Sequence, residues 1–408
     1  MAKVLITLLG TGRQAKDDSA NNNYEVTDYL INTSLYKNVT FTSNALIEHF
    51  DIDKVFYIGT DSSMWDNVAE YFGDEDLALK LLELKENKSL NEFNLTELTS
   101  CVNIKLNTSG SQCFIVEDGE NEEQLWDVFE KFLEILNQLD EKDVVYFDIT
   151  HLFRSLSVMS FVMAEFGKIS KNITIGGMFY GMLKKNKASK IIDVSMFFEL
   201  LEWAKAIDEM ERFASLEKIV KLSEGHIDKN GYNALFTMQQ AFDIANMSAI
   251  YNAVIRLKNH LNYFYDNDDK IIRLIAPKVD EFIKKLSLKS FSEFQFTLAE
   301  FFASKHYHSL AYIALAEAII SSVCEKQDMD ENKRDNRERA KDWIREGLDK
   351  SYPYSHSRKK FATLFTKQIN KIRNDIAHQL LSSKQPKDDI DNFNKYVKDS
   401  KKYLKELL

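Results

Sequence analysis

Two hydrophobic rhythms divide this chain. Up to about residue 195, short apolar runs alternate with helical periods; beyond it only the helical period continues. The β-type runs lie at 3–9, 54–58, 102–106, 143–149, 174–180 and 190–194. Between them, 64–72, 122–139 and the span from Thr150 to about Gly167 carry helix signals, and Ser62 or Ser63 is expected to cap the first. In 122–139, Leu125, Val128, Phe129, Phe132, Leu133 and Leu136 recur at helical spacing. Strand–helix alternation of this kind predicts βαβ units. The expected result is a Rossmann-like, mostly parallel twisted sheet with helices on both faces. From Ser195 onward the spans 196–222, 235–265, 271–286, 293–303, 309–324, 361–381 and 388–407 predict helices. The expected fold is therefore an α/β N-terminal domain at 1–195, a connecting helix and linker at 196–230, and an all-α C-terminal domain at 231–408.

Composition supports long helices: only three prolines and thirteen glycines, the strongest helix breakers, occur in 408 residues. Collagen-like, proline-rich and low-complexity segments are excluded. Cys101, Cys113 and Cys324 form no CxxC pair, so a cysteine zinc site is not expected and a reducing compartment is. The apolar run at 4–9 ends at Gly10, too short for a signal-peptide core, and reads as a buried first strand. No apolar stretch reaches about 18 residues, so no membrane span is expected and the cytoplasm is the expected location. The net charge of −10 argues against a general nucleic-acid-coating protein, and DNA is not expected as a partner. Charge is uneven, however. Residues 321–408 hold 21 Lys and Arg against 15 Asp and Glu, whereas the first 320 hold 32 against 48. A basic segment on an acidic body suits local binding of a polyanion; a solvated helical surface is the alternative.

In an open parallel sheet, ligands bind beyond the carboxyl ends of the strands. Polar and glycine clusters follow the apolar runs: Gly10, Thr11, Gly12 and Arg13; Gly59, Thr60, Asp61, Ser62, Ser63 and Trp65; the segment 107–111; Asp148, Thr150 and His151; Tyr180 and Gly181. They are expected to converge on one crevice. Glycines allow close backbone approach, and N–H groups at helix starts favour phosphate. The hydroxyls of Thr11, Thr60, Ser62, Ser63 and Thr150 can bond phosphate or ribose. Arg13, His151 and Arg154 can add positive charge, and Trp65 and Tyr180 can stack on bases. This inventory has the character of a nucleotide pocket. It is not a dinucleotide fingerprint, because no third glycine follows Gly12, and GxxxxGK[ST] is absent. The alternative is a set of turn residues and helix caps. Asp148 at the end of a fully apolar strand is unexpected for capping alone, and it can orient His151 by a hydrogen bond. An isolated histidine can equally be a satisfied core residue.

The segment DITHLFRS at 148–155 resembles the DxTHG-type signature of CRISPR-associated CARF proteins, with Leu152 where the signature has glycine. LLGTGR at 8–13 and YIGTDSSMWD at 57–66 are similar to the same family, and the resemblance extends to about residue 195. It implies a Rossmann-type sheet that dimerises and binds a cyclic oligoadenylate across the dimer crevice. Thr11, Ser62, Thr150, His151 and Arg154 would be its contacts.

In the helical half, 361–381 contains Arg373, Asn374 and His378. Ile369, Ile372, Ile376 and Leu380 form an apolar stripe, and the three polar residues fall off it. Asn374 and His378 lie one turn apart, with Arg373 on the flank. Such a set suits metal-free RNA cleavage. His378 can act as acid or base near pH 7, Arg373 can hold the phosphate and meet its developing charge, and Asn374 can orient either. Two proton transfers need two histidines, which facing helices of a dimer supply. The products would be a 2′,3′-cyclic phosphate and a 5′-hydroxyl. The alternative is a solvated face with Arg373 and His378 paired to neighbouring acids. RNxxxH in this setting resembles the HEPN ribonuclease motif, matched by Arg373, Asn374 and His378. CARF followed by HEPN resembles the type III CRISPR ancillary ribonucleases.

The expectation is thus a homodimeric endoribonuclease of CRISPR antiviral defence, acting on single-stranded RNA. Its allosteric activator would be cyclic tetra-adenylate or cyclic hexa-adenylate, with no metal and no other cofactor. A second reading is a non-catalytic regulator that senses the cyclic nucleotide. A third adds slow ring-opening of the effector in the crevice, with Thr11, Thr60 or His151 positioning a ribose hydroxyl. Minor candidates are His306 with His308 and Arg256 with His260. The stretch 333–345, mixed in sign, reads as a solvated helix or mobile loop.

Overall fold

Strand β1 (Lys3–Leu9) buries every residue after Lys3. Its sequence is a continuous apolar run because both faces of the strand are covered. In this computed structural model, which describes all residues except 13–25, 152, 185–187, 287–289, 350, 352 and 379–385, β1 lies inside an eight-stranded sheet. The other strands are β2 (Thr27–Ile31), β3 (Ser34–Val39), β4 (Lys54–Gly59), β5 (Gln112–Ile115), β6 (Val144–Asp148), β7 (Thr174–Met182) and β8 (Ser189–Asp193). Their order is β3-β2-β8-β7-β6-β1-β4-β5. The strands from β7 through β5 in that order are mutually parallel. Beyond them β8 is antiparallel to β7, β2 parallel to β8, and β3 antiparallel to β2 at the edge.

The period-two geometry of strands sorts side chains to two cores. Leu5, Leu9, Val55 and Tyr57 pack on one face with Leu46 and Val68, from the helices Thr42–Phe50 and Trp65–Tyr71. Val4, Ile6, Leu8, Phe56 and Ile58 pack on the other with Val128, Phe132 and Met163, from the helices Glu122–Asn137 and Arg154–Ser170. Each large side chain so buried contributes about 1.5–3 kcal/mol before ordering costs.

One expected strand is wrong. Residues 102–106 alternate apolar and polar like a strand, yet they fall in and just after the helix Thr96–Lys105. Leu95, Leu98 and Val102 carry a helical stripe into the core, while Ile104 is 80% exposed. The strand is instead β5, and 107–111 precedes it. That loop lies at the amino end of the parallel strands: Ser111 Oγ accepts from Val55 N at 3.1 Å, beside the start of β4. It therefore stands at the opposite sheet edge from the other clusters. The β2–β3 hairpin was not expected at all.

The chain divides into two units, Met1–Phe198 and Glu199–Leu408. In the second, every regular element among the described residues is a helix. The span expected as one helix from Met196 breaks at Ala214, whose φ of 54° is left-handed, into Met196–Phe213 and Glu217–Ser223. The core joins Leu235, Leu257, Ile275, Phe294, Phe302, Leu315, Ile319 and Phe361. The phenylalanines at 294, 296, 301 and 302 are core residues. Residues 361–381 are not one helix: His356–Thr363 leads into a π-helical turn, Leu364–Ile369, then Asn370–Ala377. Leu380 lies outside the described residues. No helix among the described residues is long and apolar enough to cross a membrane.

Candidate functional site

Asp148, the last residue of β6, is 1% exposed and organises the front site. Its Oδ2 accepts from Thr7 Oγ1 at 3.0 Å and Thr42 Oγ1 at 2.6 Å. Its Oδ1 accepts from the backbone N–H of Thr150 at 3.0 Å and from the Thr150 hydroxyl. The Thr150 hydroxyl accepts in turn from Gly181 N at 2.8 Å. A buried carboxylate is costly unless hydrogen-bonded, and four donors satisfy this one. Neither Thr7 nor Thr42 was singled out in the sequence. Thr7, the one polar residue inside an otherwise apolar β1, was the available signal.

Beyond Asp148 lies a cavity of ≈ 370 Å³ lined by Gly10, Thr11, Gly12, Thr60, Ser62, Thr150, His151 and Phe153. These residues follow β1, β4 and β6, three adjacent parallel strands. The chain runs outward from β1 to β4 and β5, then returns to place β6 on the other side of β1. That reversal is the topological switch point where open sheets leave a crevice. Gly12 has φ 73°, a conformation that favours glycine. Phe153, exposed at the start of the helix Arg154–Ser170, adds an apolar ring not foreseen from the sequence.

His151 faces this cavity, and its Nε2 is buried without a hydrogen-bond partner among the described residues. Burial lowers its pKa below the ordinary value, opposed by the nearby Asp148 carboxylate. A neutral imidazole with an unused nitrogen is a donor or acceptor in waiting.

Other expected contacts have different places. Ser63 does not cap the helix Trp65–Tyr71, whose N-cap is Met64 without a side-chain bond. It is fully buried instead: Ser63 Oγ donates to Leu9 O at 2.5 Å and accepts from Thr60 N at 2.9 Å, tying the loop after β4 to the end of β1. Trp65 is not a stacking surface. It is 1% exposed, and its Nε1 donates to Thr60 O at 2.8 Å. Gly59 makes room for it, since a Cβ there would stand 2.7 Å from the indole. Asp61, Arg154 and Tyr180 are exposed and do not line the cavity, and Arg13 lies outside the described residues.

In the helical unit, Arg373 and Asn374 lie on Asn370–Ala377 and His378 ends it. Arg373 Nη1 donates to Asn374 Oδ1 at 3.1 Å. His378 is exposed, with its backbone N–H on Asn374 O at 2.9 Å, so it stands one turn beyond the amide. The preceding π-helical turn is a rare form that recurs next to functional residues. Arg256 and His260 form no comparable site: His260 Nδ1 bonds the Arg256 carbonyl at 2.7 Å. Among the described residues no cluster of three or more His, Cys, Asp or Glu is arranged to hold a metal ion.

A mostly parallel sheet whose carboxyl-end loops frame a small polar cavity defines a Rossmann-like α/β domain. Residues 4–183 match the family model for the CARF domain of the CRISPR system endoribonuclease Csx1. The chain is 29% identical over 419 residues to the CRISPR-associated protein MJ1674 of Methanocaldococcus jannaschii, covering 96% of this chain. It spans 65% of the length of that curated relative. Among solved structures it is similar to Enterococcus italicus Csm6 bound to cyclic hexa-2′-fluoro-hexa-dAMP. That similarity has a TM-score of 0.43 and 13% sequence identity, over 99% of this chain and 93% of the other.

Proposed function

We propose that this protein is a cytoplasmic, cyclic-oligoadenylate-activated endoribonuclease of type III CRISPR defence. The observation that carries the reading is the Arg373–Asn374–His378 set at one helix end, in a chain whose residues 4–183 match a CARF family model. Single-stranded RNA would place a phosphodiester against Arg373. One imidazole removes the 2′-OH proton, and the 2′-oxygen forms a bond to phosphorus. The bond from phosphorus to the 5′-oxygen breaks, and a second, protonated imidazole supplies that oxygen's proton. Arg373 balances the charge that accumulates on the non-bridging oxygens. The ends are a 2′,3′-cyclic phosphate and a 5′-hydroxyl, and no step calls for a metal.

Two histidines require two copies of the chain, and the front unit favours the same arrangement. Its ≈ 370 Å³ cavity sits at the low end of single small-ligand sites, about 300–1,000 Å³. A ring of four or six adenylates therefore needs two such cavities facing each other. The helix that leaves the cavity exposes Phe153, Val158, Val162, Phe166 and Ile169. Such an apolar face suits burial against a second copy. The effector would bind Thr11, Thr60, Ser62, Thr150 and His151, and its tighter binding to the active arrangement would shift the equilibrium.

The test is incubation of labelled single-stranded RNA with the full chain, with and without cyclic tetra- or hexa-adenylate. Cleavage is expected only with a cyclic nucleotide and not in His378→Ala. Effector binding with intact RNA would leave a non-catalytic sensor in its place.

A further inference from the structure

In the helical unit one carboxylate stands between two arginines. Glu317 lies on the helix His308–Lys326, Arg337 on Arg334–Glu346 and Arg373 on Asn370–Ala377. Glu317 Oε2 accepts from Arg337 Nη2, and Glu317 Oε1 lies 3.8 Å from Arg373 Nη2. Arg337 Nη1 also donates to Glu331 O at 3.4 Å. All three side chains are largely withdrawn from solvent, at 21% exposure for Glu317, 23% for Arg337 and 35% for Arg373. Burial lowers the pKa of Arg337; Glu338 opposes this, and the positive charge of Arg373 adds to it.

We infer that Glu317 is a positioning residue for Arg373 and that Arg337 sets how tightly it grips. The inference deepens the ribonuclease reading above and rests on it. The two contacts to Glu317 are unequal. The contact to Arg337 is a direct hydrogen bond; the 3.8 Å approach to Arg373 is beyond hydrogen-bond range and acts as an ion pair. Arg373 is thus held by two contacts, the ion pair to Glu317 and the Nη1 hydrogen bond to Asn374 Oδ1, and the latter is one bond from a guanidinium that carries five N–H donors. Fixed direction is what transition-state stabilisation by a guanidinium requires. Glu317 alone would cancel the charge of Arg373. With Arg337 the cluster keeps a net positive charge, and Arg337 prevents Glu317 from closing on Arg373 as a bidentate partner.

The test is effector-activated RNA cleavage by the full chain, paired with binding of a 2′-O-methyl RNA that cannot be cleaved. Glu317→Gln keeps the shape and removes the charge. It is expected to lower kcat about tenfold to a hundredfold, as for a misplaced catalytic group. Binding of the 2′-O-methyl RNA should be unchanged or tighter, because a negative charge has left the site. A merely structural role would weaken binding together with kcat. Should Glu317→Gln fail to fold, Arg337→Gln decides. It frees Glu317 to neutralise Arg373, so kcat and RNA affinity should both fall, and Arg337→Lys, which keeps the charge, should restore both; unchanged values in Arg337→Gln, or no rescue in Arg337→Lys, overturn the inference. Unaltered kcat in folded Glu317→Gln overturns it while leaving the ribonuclease reading intact. Cleavage that survives Arg373→Ala, or its absence in the unaltered protein, overturns both.

Discussion

Thr42 donates its hydroxyl to the Asp148 carboxylate over 2.6 Å, joining a helix start to a strand end 106 residues later. Thr7 reaches the same oxygen from β1 at 3.0 Å. The carboxylate thereby fixes the loop that carries Thr150 and His151 to the ends of neighbouring strands. It shapes the cavity without lining it.

Asp148→Ala leaves the Thr7, Thr42 and Thr150 donors without their acceptor. At about 1–3 kcal/mol for each buried unsatisfied group, a loss of at least ~3 kcal/mol is expected. Urea unfolding should show a lower midpoint at unchanged slope. Asp148→Asn, which keeps the shape and one acceptor, should lose less. Equal stability of Asp148→Ala and the unaltered chain would contradict this account.

Gly181→Ala introduces a Cβ 2.3 Å from Thr42 Cγ2 and 3.0 Å from Thr150 Cγ2. Overpacking of this kind costs about 1–3 kcal/mol. Relief by moving Thr150 would break its bond to Gly181 N, so affinity for the cyclic nucleotide should fall about tenfold or more, as 1.4 kcal/mol implies. Isothermal titration of the variant measures it.

His151 gives a pH dependence with a definite sign. Burial holds its folded pKa below the ordinary 6.5. As pH falls through 6.5 the unfolded chain takes up a proton that the folded chain does not. Stability is therefore complete above pH 6.5, declines below it, and levels off once the folded imidazole also protonates. His151→Gln should flatten this slope in urea titrations between pH 7.5 and 5. His308, whose pKa burial also lowers, will retain part of it.

Chelation should leave RNA cleavage unchanged, since the proposed chemistry uses only Arg373, Asn374 and His378. His378→Ala and Arg373→Ala should each reduce kcat about a hundredfold or more, with effector binding retained. Cleavage assays with EDTA, alongside effector titrations of both variants, check this. Loss of activity with EDTA would remove the metal-free mechanism.

The sequence by itself determined the central strands β1, β4 and β6, because strands covered on both faces run almost continuously apolar, and it marked β7, whose burial is confined to its middle and Gly181. It also determined the loops that follow β1, β4 and β6, and the Arg373–Asn374–His378 spacing, because both are local. The edge hairpin β2–β3 escaped, since edge strands mix polar and apolar residues without a continuous run. Residues 102–106 misled because five residues fit two periods; only the stripe from Leu95 through Val102 decides for a helix. Only the tertiary structure placed Trp65 and Ser63 in the core, because their partners, Thr60 O and Leu9 O, are backbone atoms that composition does not reveal. The same holds for Asp148 with Thr42 and for Glu317 with Arg337 and Arg373. Each is a set of ordinary polar residues, distant in sequence, until folding withdraws them from water and brings them together.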